Sequence, residues 1–153
     1  MTALLAPDSS PPIVWSDLLL LGYPALDRMH TEFVECVSAL QSASDVGLPI
    51  RLATVAAHLS RHFAQEDRWM LDTVFPPRDC HIDEHAAVLE SLAQVQQRVN
   101  GGDLDAARHL AAALVDWFPR HTAHLDSALS HWMCKQRWNA KPVVVRRNVV
   151  ARD

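Results

Sequence analysis

The stretch from His58 to Met70 reads HLSRHFAQEDRWM. Leu59, Phe63 and Met70 recur at intervals that place them on one face of an α-helix. His62 and Glu66, four residues apart, fall on that same face about one turn from each other. An imidazole and a carboxylate in the middle of an apolar stripe are out of place. Burying a polar group without a partner costs roughly 2–7 kcal/mol, and a charge costs more. Glu66 therefore needs a cation, and a metal ion is a good candidate. The pair decides little alone, because His-x-x-x-Glu occurs by chance on many helices. Its weight comes from matching parts elsewhere in the chain.

Working outward, the same period appears four times. Before the quoted stretch, Leu26, Met29, His30, Phe33, Val37 and Leu40 form one apolar stripe, opened by Pro24 in a first-turn position. Pro49 opens the helix that carries His62 and Glu66, and Phe75-Pro76-Pro77 ends it. A third helix is expected from about Cys80 to Asn100, with His81, His85, Val88, Leu89, Leu92, Val95 and Val99 inward. Asn100-Gly101-Gly102 stops it, and Asp103 is a fitting N-cap for a fourth helix. That helix carries Leu110, Leu114, Trp117, Phe118, His121, Leu125 and Leu129 on its inner side. The fold class predicted is all-α, an antiparallel up-down-up-down four-helix bundle with an N-terminal extended arm. The division expected is an arm over 1–14, which holds Pro7, Pro11 and Pro12, a bundle over 15–138, and a tail over 139–153. VVVRRNVV within the tail suits either a strand-like arm or disorder.

The composition agrees with one ordinary domain. Of 153 residues, 49% are hydrophobic and 21% charged. A net charge of −4 argues against a nucleic-acid partner. The longest apolar run, Leu18 to Leu21, is too short to span a membrane, and MTALLAPDSSPP does not read as a signal peptide. Cys36, Cys80 and Cys134 are odd in number and not closely paired, so free thiols in a reducing compartment, the cytoplasm, are expected. The 9 histidines are the one excess.

Each helix offers inward donors: His30; His62 and Glu66; His81 and His85; His121 and Asp126. Imidazole and carboxylate suit iron, zinc, copper or manganese and are not a calcium set. One zinc would be saturated by four ligands. Seven donors on four helices fit two metal ions, with the carboxylates able to bridge them. The histidines then divide three to one ion and two to the other, and the second keeps an open position for a small ligand. A lone histidine on an apolar face is usually just a core histidine. Four helices supplying matched donors by accident is much rarer.

In order and spacing the chain resembles the hemerythrins, in particular the single-domain bacterial ones. The matching residues are Trp15-Ser16-Asp17, Gly22, Asp27-x-x-His30, His62-Phe63-x-x-Glu66-Asp67-x-x-Met70, His81-x-x-x-His85 and Trp117-Phe118-x-x-His121-x-x-x-x-Asp126. The resemblance covers about residues 13–130. It implies a non-haem centre of two iron ions, oxo- or hydroxo-bridged, that binds dioxygen reversibly for storage, delivery or sensing. By that resemblance His81, His85 and His121 hold one iron, His30 and His62 hold the other, and Glu66 and Asp126 bridge them. Nitric oxide and azide-like anions are further ligands of such a centre. Phe63, Trp117, Phe118 and Thr122 are expected to line the ligand pocket. The rival reading is an enzyme: a di-iron oxidase, a peroxidase or a nitric-oxide-handling protein. Five histidines to two carboxylates favour binding over oxygen-activating catalysis, which in bundles commonly uses more carboxylates. A sensor would need a protein partner, with the 139–153 tail as a docking segment, and a homo-oligomer is equally compatible with the sequence.

Some positions depart from the family pattern. Met29 stands where a Gln is common, Phe118 where Leu is usual and Thr122 where Ile is usual. A hydroxyl at Thr122 could hydrogen-bond bound dioxygen or admit water. Geometry raises a separate question. Residues five apart on an ideal helix point about 140° apart, so His121 and Asp126 should not share a face. Pro119 frees a carbonyl near Val115, and a kink or π-type bulge near the site is the expected resolution. His58, one turn before His62, either lines the cavity or is a partly buried bystander. His109, His124 and His131 are expected on exposed or flanking faces.

Overall fold

The computed structural model describes residues 10–147. The first nine residues of the expected arm, and residues 148–153 of the tail, lie outside the described residues. Helix α1 spans Pro24–Gln41, α2 Leu48–Asp72, α3 Arg78–Asn100 and α4 Leu104–His121. A π-helical segment, Thr122–Asp126, joins α4 directly to α5, Ser127–Trp138, so α4, the π segment and α5 make one continuous fourth rod. A short 3₁₀ turn over Asp17–Leu19 precedes the bundle. Among the described residues there are no strands.

Local chemistry sets the helix ends. Both carboxylate oxygens of Asp27 accept backbone amides, from Leu21 at 2.8 Å and Gly22 at 3.0 Å, and so close the turn into α1. Pro24 occupies the first helical turn, where its missing N–H leaves nothing unpaired. The Asp103 side chain accepts from the Ala106 amide at 3.3 Å and caps α4 as expected. The third helix begins two residues before the expected Cys80, at Arg78. Connections are short, and α1 packs on α2 and α4 while α3 packs on the same two. That is the square of a four-helix bundle.

The core is in two parts. Phe33, Val37, Leu52, Leu59, Phe63, Leu92, Leu114 and Phe118 belong to a larger apolar cluster. Tyr23, Leu26, Met70, Phe75, Leu129 and Met133 form a smaller one. Along α1 the order is Leu26, His30, Phe33, and along α2 it is Leu59, His62, Glu66, Met70, so the polar donors form a layer between two apolar ones.

The expected π-type turn is present, but not where the missing proline N–H would put it. The chain stays α-helical through Pro119, and the widened turn begins at Thr122. The amide of Ser127 reaches the carbonyl of Thr122, five residues back. Val115, whose carbonyl Pro119 leaves free, lies a full turn or more earlier, so the proline does not itself form the bulge.

The tail, left open by its sequence, runs without helix or strand from 141 to 147. The Arg147 amide and guanidinium donate to the Asp17 carboxylate at 2.8, 3.0 and 2.9 Å. The tail also lies over Gly22, whose φ of +86° favours glycine; a Cβ there would meet the Pro142 Cβ at 2.8 Å.

Candidate metal centre

All seven sequence-predicted donors come together in the polar layer, and all are buried. Their ligand atoms form two groups, each lying within 4.8 Å: Glu66, His81, His85, His121 and Asp126 in one, and His30, His62 and Glu66 in the other. The carboxylates divide their oxygens between the two. Glu66 Oε1 lies 2.5 Å from His62 Nε2, while its Oε2 lies 3.2 Å from His81 Nε2 and 3.3 Å from His85 Nε2. Asp126 Oδ2 lies 2.9 Å from His30 Nε2, while its Oδ1 lies 3.0 Å from His81 Nε2 and 3.1 Å from His121 Nε2.

The π segment makes this possible. A turn closed by i→i+5 bonds brings residues five apart back over one another. His121 and Asp126 therefore both reach inward, although a regular helix would splay them.

These contacts are close, but most are not hydrogen bonds. His30 Nε2, His81 Nε2, His85 Nε2, His121 Nε2, Glu66 Oε2 and both oxygens of Asp126 are buried with no hydrogen-bond partner. Natural interiors rarely leave such groups unsatisfied. Two donors held at about 2.1 Å and a right angle around one ion would lie about 3 Å apart, close to the separations seen here. Imidazole with carboxylate is a first-row transition-metal set. The donors present are thus able to hold metal.

The electrostatics agree. Burial alone would raise the Glu66 and Asp126 carboxyls, but the surrounding histidines hold both well below the usual carboxylate range. Burial would likewise pull His81 down, yet Asp126 and Glu66 push it up to about 9. His121 rises for the same reason, against its own burial and with Asp126 as the main partner. The layer demands positive charge, which protons supply when metal ions do not.

The second nitrogens of three of these rings have partners; the sequence drew notice to His58 and, within the family motif, to Asp67, without giving either a partner, and it did not single out Glu84. His85 Nδ1 lies 2.7 Å from Asp67 Oδ1. His121 Nδ1 lies 3.1 Å from Glu84 Oε1, which also accepts from Trp117 Nε1 at 2.8 Å. His62 Nδ1 lies 3.2 Å from His58 Nε2, so His58 joins the site and is no bystander. Burial and the neighbouring His62 pull His58 down to about 4, which keeps it neutral near pH 7. Spacing held a signal for two of the three. His58 sits at i−4 from His62, and Glu84 at i+3 from His81. Neither differs in sequence from an ordinary helix-surface residue.

The expected pocket residues are placed around this layer. Phe63 stacks flat on His85, with ring centres 4.0 Å apart. Trp117 stacks on His121 at 4.3 Å. Phe118 meets His30 edge-on at 5.2 Å and stacks on Phe33 at 4.4 Å. Thr122 is buried, but its hydroxyl donates to the Pro119 carbonyl at 3.0 Å. Of the two roles the sequence left open for this hydroxyl, donation to a bound ligand is not the one seen, since its proton goes to the backbone. His109, His124 and His131 are exposed, as expected, and all three cysteines are free thiols.

The profile of the Hemerythrin HHE cation binding domain matches residues 21–131. The chain belongs to the hemerythrin family. It is 34% identical over 131 residues to a bacteriohemerythrin of Ralstonia nicotianae, a match that spans 86% of this chain and 96% of that protein. No solved structure matches it significantly. Membership implies non-haem iron binding, and the buried donor layer lies within the matched residues. Among the described residues of this hemerythrin-family chain, no helix is long and apolar enough to cross a membrane.

Proposed function

We propose that this chain binds dioxygen reversibly at a centre of two iron ions. The observation that carries the reading is the division of each carboxylate between two histidine groups: Glu66 and Asp126 each turn one oxygen to each side. In this reading His81, His85 and His121 would hold one ion and His30 and His62 the other, with Glu66 and Asp126 shared between the two groups. The ion with fewer histidines would be the one to take a ligand, and two ferrous ions would supply the pair of electrons that reversible dioxygen binding draws on.

The chain's own residues do the rest. Phe118 and Phe33 exclude water from the side where His30 and His62 meet, and Phe63 covers His85 on the other. Asp67 and Glu84 accept from His85 and His121, which fixes those rings with Nε2 free as donor. The layer offers five histidines to two carboxylates, which favours reversible binding over an oxidase or peroxidase, since oxygen-activating centres in bundles commonly use more carboxylates.

The test is to load the protein with iron, reduce it without oxygen, then add dioxygen and follow the visible spectrum. A coloured adduct that bleaches when oxygen is withdrawn supports the reading. Irreversible oxidation with release of peroxide would mark an oxidase instead.

A further inference from the structure

The histidines of the donor layer are backed unequally. His85 and His121 each turn Nδ1 to a carboxylate, Asp67 and Glu84. Both belong to the five-residue donor group. His81 of that group has its Nδ1 buried with no partner, as does His30 of the smaller group, where His62 turns Nδ1 to the imidazole of His58. His58 is itself buried, at 4% exposure, and it lies on the same helix one turn before His62. Its own Nδ1 points across to α1, 3.7 Å from the carboxylate of Glu32, which is exposed to solvent.

A metal ion at His62 Nε2 would decide which atoms of the His62 and His58 pair carry protons. A neutral imidazole has one N–H and one lone pair. If His62 is to offer the Nε2 lone pair to a metal ion, its proton must sit on Nδ1. That proton needs an acceptor in a buried place, and His58 Nε2 is the atom in reach. His58 must then carry its own proton on Nδ1, on the side of Glu32. The chain of donors runs from His62 to His58 and on toward the surface of α1. We infer that His58 is the positioning residue of the two-histidine ion: it fixes the tautomer and ring angle of His62 and so holds that ion in place. The inference rests on the two-ion reading above.

It is tested by ferrous titration without oxygen, in the intact chain, on wild type, His58→Leu and His58→Gln. Leu fills the space but accepts nothing; Gln offers an amide oxygen to His62. Removing such a partner weakens metal affinity by roughly 10–100-fold. The expected result is that His58→Leu weakens the weaker of two binding steps by that factor and leaves the tighter step unchanged, and that His58→Gln restores most of the loss. Proton–nitrogen NMR of the zinc-loaded proteins should show the His62 proton on Nδ1 in wild type and the Gln variant. Equal binding by wild type and His58→Leu would overturn the inference, as would equal weakening of both steps or failure of Gln to rescue. If the Leu variant does not fold, the Gln variant and the wild-type NMR decide alone. Wild type that binds only one ion would instead overturn the two-ion reading, so the two failures are distinguishable.

Discussion

His121 and Asp126 stand five residues apart in one helical rod, yet His121 Nε2 lies 3.1 Å from Asp126 Oδ1. The π segment over Thr122–Asp126 is the cause. Such a segment is a one-residue insertion in an α-helix. Removing the exposed Ala123 should therefore let the rod close into regular α-helix, with the two donors now four apart and still on one face. Metal content should be retained and thermal stability not lowered. Adding one alanine beside Ala123 should instead turn Asp126 by about 100° and cost most of the metal. Equal metal loss in both variants would show that the π turn has another role.

Glu84 serves two donors at once, Trp117 Nε1 and His121 Nδ1. Burial alone would raise its carboxyl, but those two hydrogen bonds hold it below the ordinary value. Glu84→Gln keeps an acceptor for the indole but removes the charge that polarises His121. Metal affinity should fall roughly 10–100-fold, with little change in melting temperature of the metal-free protein. Asp67→Asn should do the same through His85. Ferrous titration beside metal-free melting curves checks both, and unchanged affinity in both variants would remove these carboxylates from the site.

The seven donors were legible because they break a pattern: an ionisable residue on an apolar stripe has an energetic cost that must be offset. The four helices were legible from the same stripes and from Pro24, Pro49 and Asp103 at their starts. Asp67 and Glu84 break no pattern, since carboxylates on the flank of a helix are ordinary. Only the approach of a second helix gives them their partners, His85 18 residues away and His121 37 residues away. The π turn was legible as a conflict between two ligand directions, whereas its position past Pro119 was not. The tail was illegible for a similar reason. Its anchor, Asp17, lies 130 residues before Arg147, and no local signal in VVVRR points there.

That anchor gives a pH and salt dependence. Paired with Arg147 by hydrogen bonds from the guanidinium and backbone, the Asp17 carboxyl is held down to about 2, below its ordinary 3.8. A depressed carboxyl stabilises the paired state at pH above its ordinary value, and the contribution is lost as pH falls through the lowered one. The tail should therefore stay docked at neutral pH and release between about pH 4 and 2, and earlier in high salt, which screens exposed charges. Trp15 flanks Val143 to Val145, and since the chain has 5 tryptophans the emission that is lost in Trp15→Phe isolates it as a local probe. Arg147→Ala should release the tail at neutral pH. A Trp15 signal that is the same in wild type and Arg147→Ala across this range would refute the anchor.

Val74 ends α2 in the left-handed region, at φ +54°, where a β-branched residue is strained. The conformation is imposed by the cap: the Phe75 amide reaches back to the Met70 carbonyl at 2.9 Å, and Val74 donates to Leu71. Glycine is the usual residue at this helix-end position. The Val74 side chain is 64% exposed, so little packing would be lost by removing it. A left-handed residue with a Cβ costs about 1–2 kcal/mol, and the greater freedom of glycine in the unfolded chain returns part of that, about 0.5–1 kcal/mol. Val74→Gly should therefore stabilise the protein by about 1 kcal/mol. That corresponds to a rise in melting temperature of roughly 2–4 °C for a chain of this size. Val74→Asn should gain less, and Val74→Ala, which keeps the Cβ, should gain little. Thermal unfolding of the metal-free protein measures all three. A glycine variant that melts below wild type would mean that the exposed valine holds the α2–α3 turn by contacts worth more than its strain.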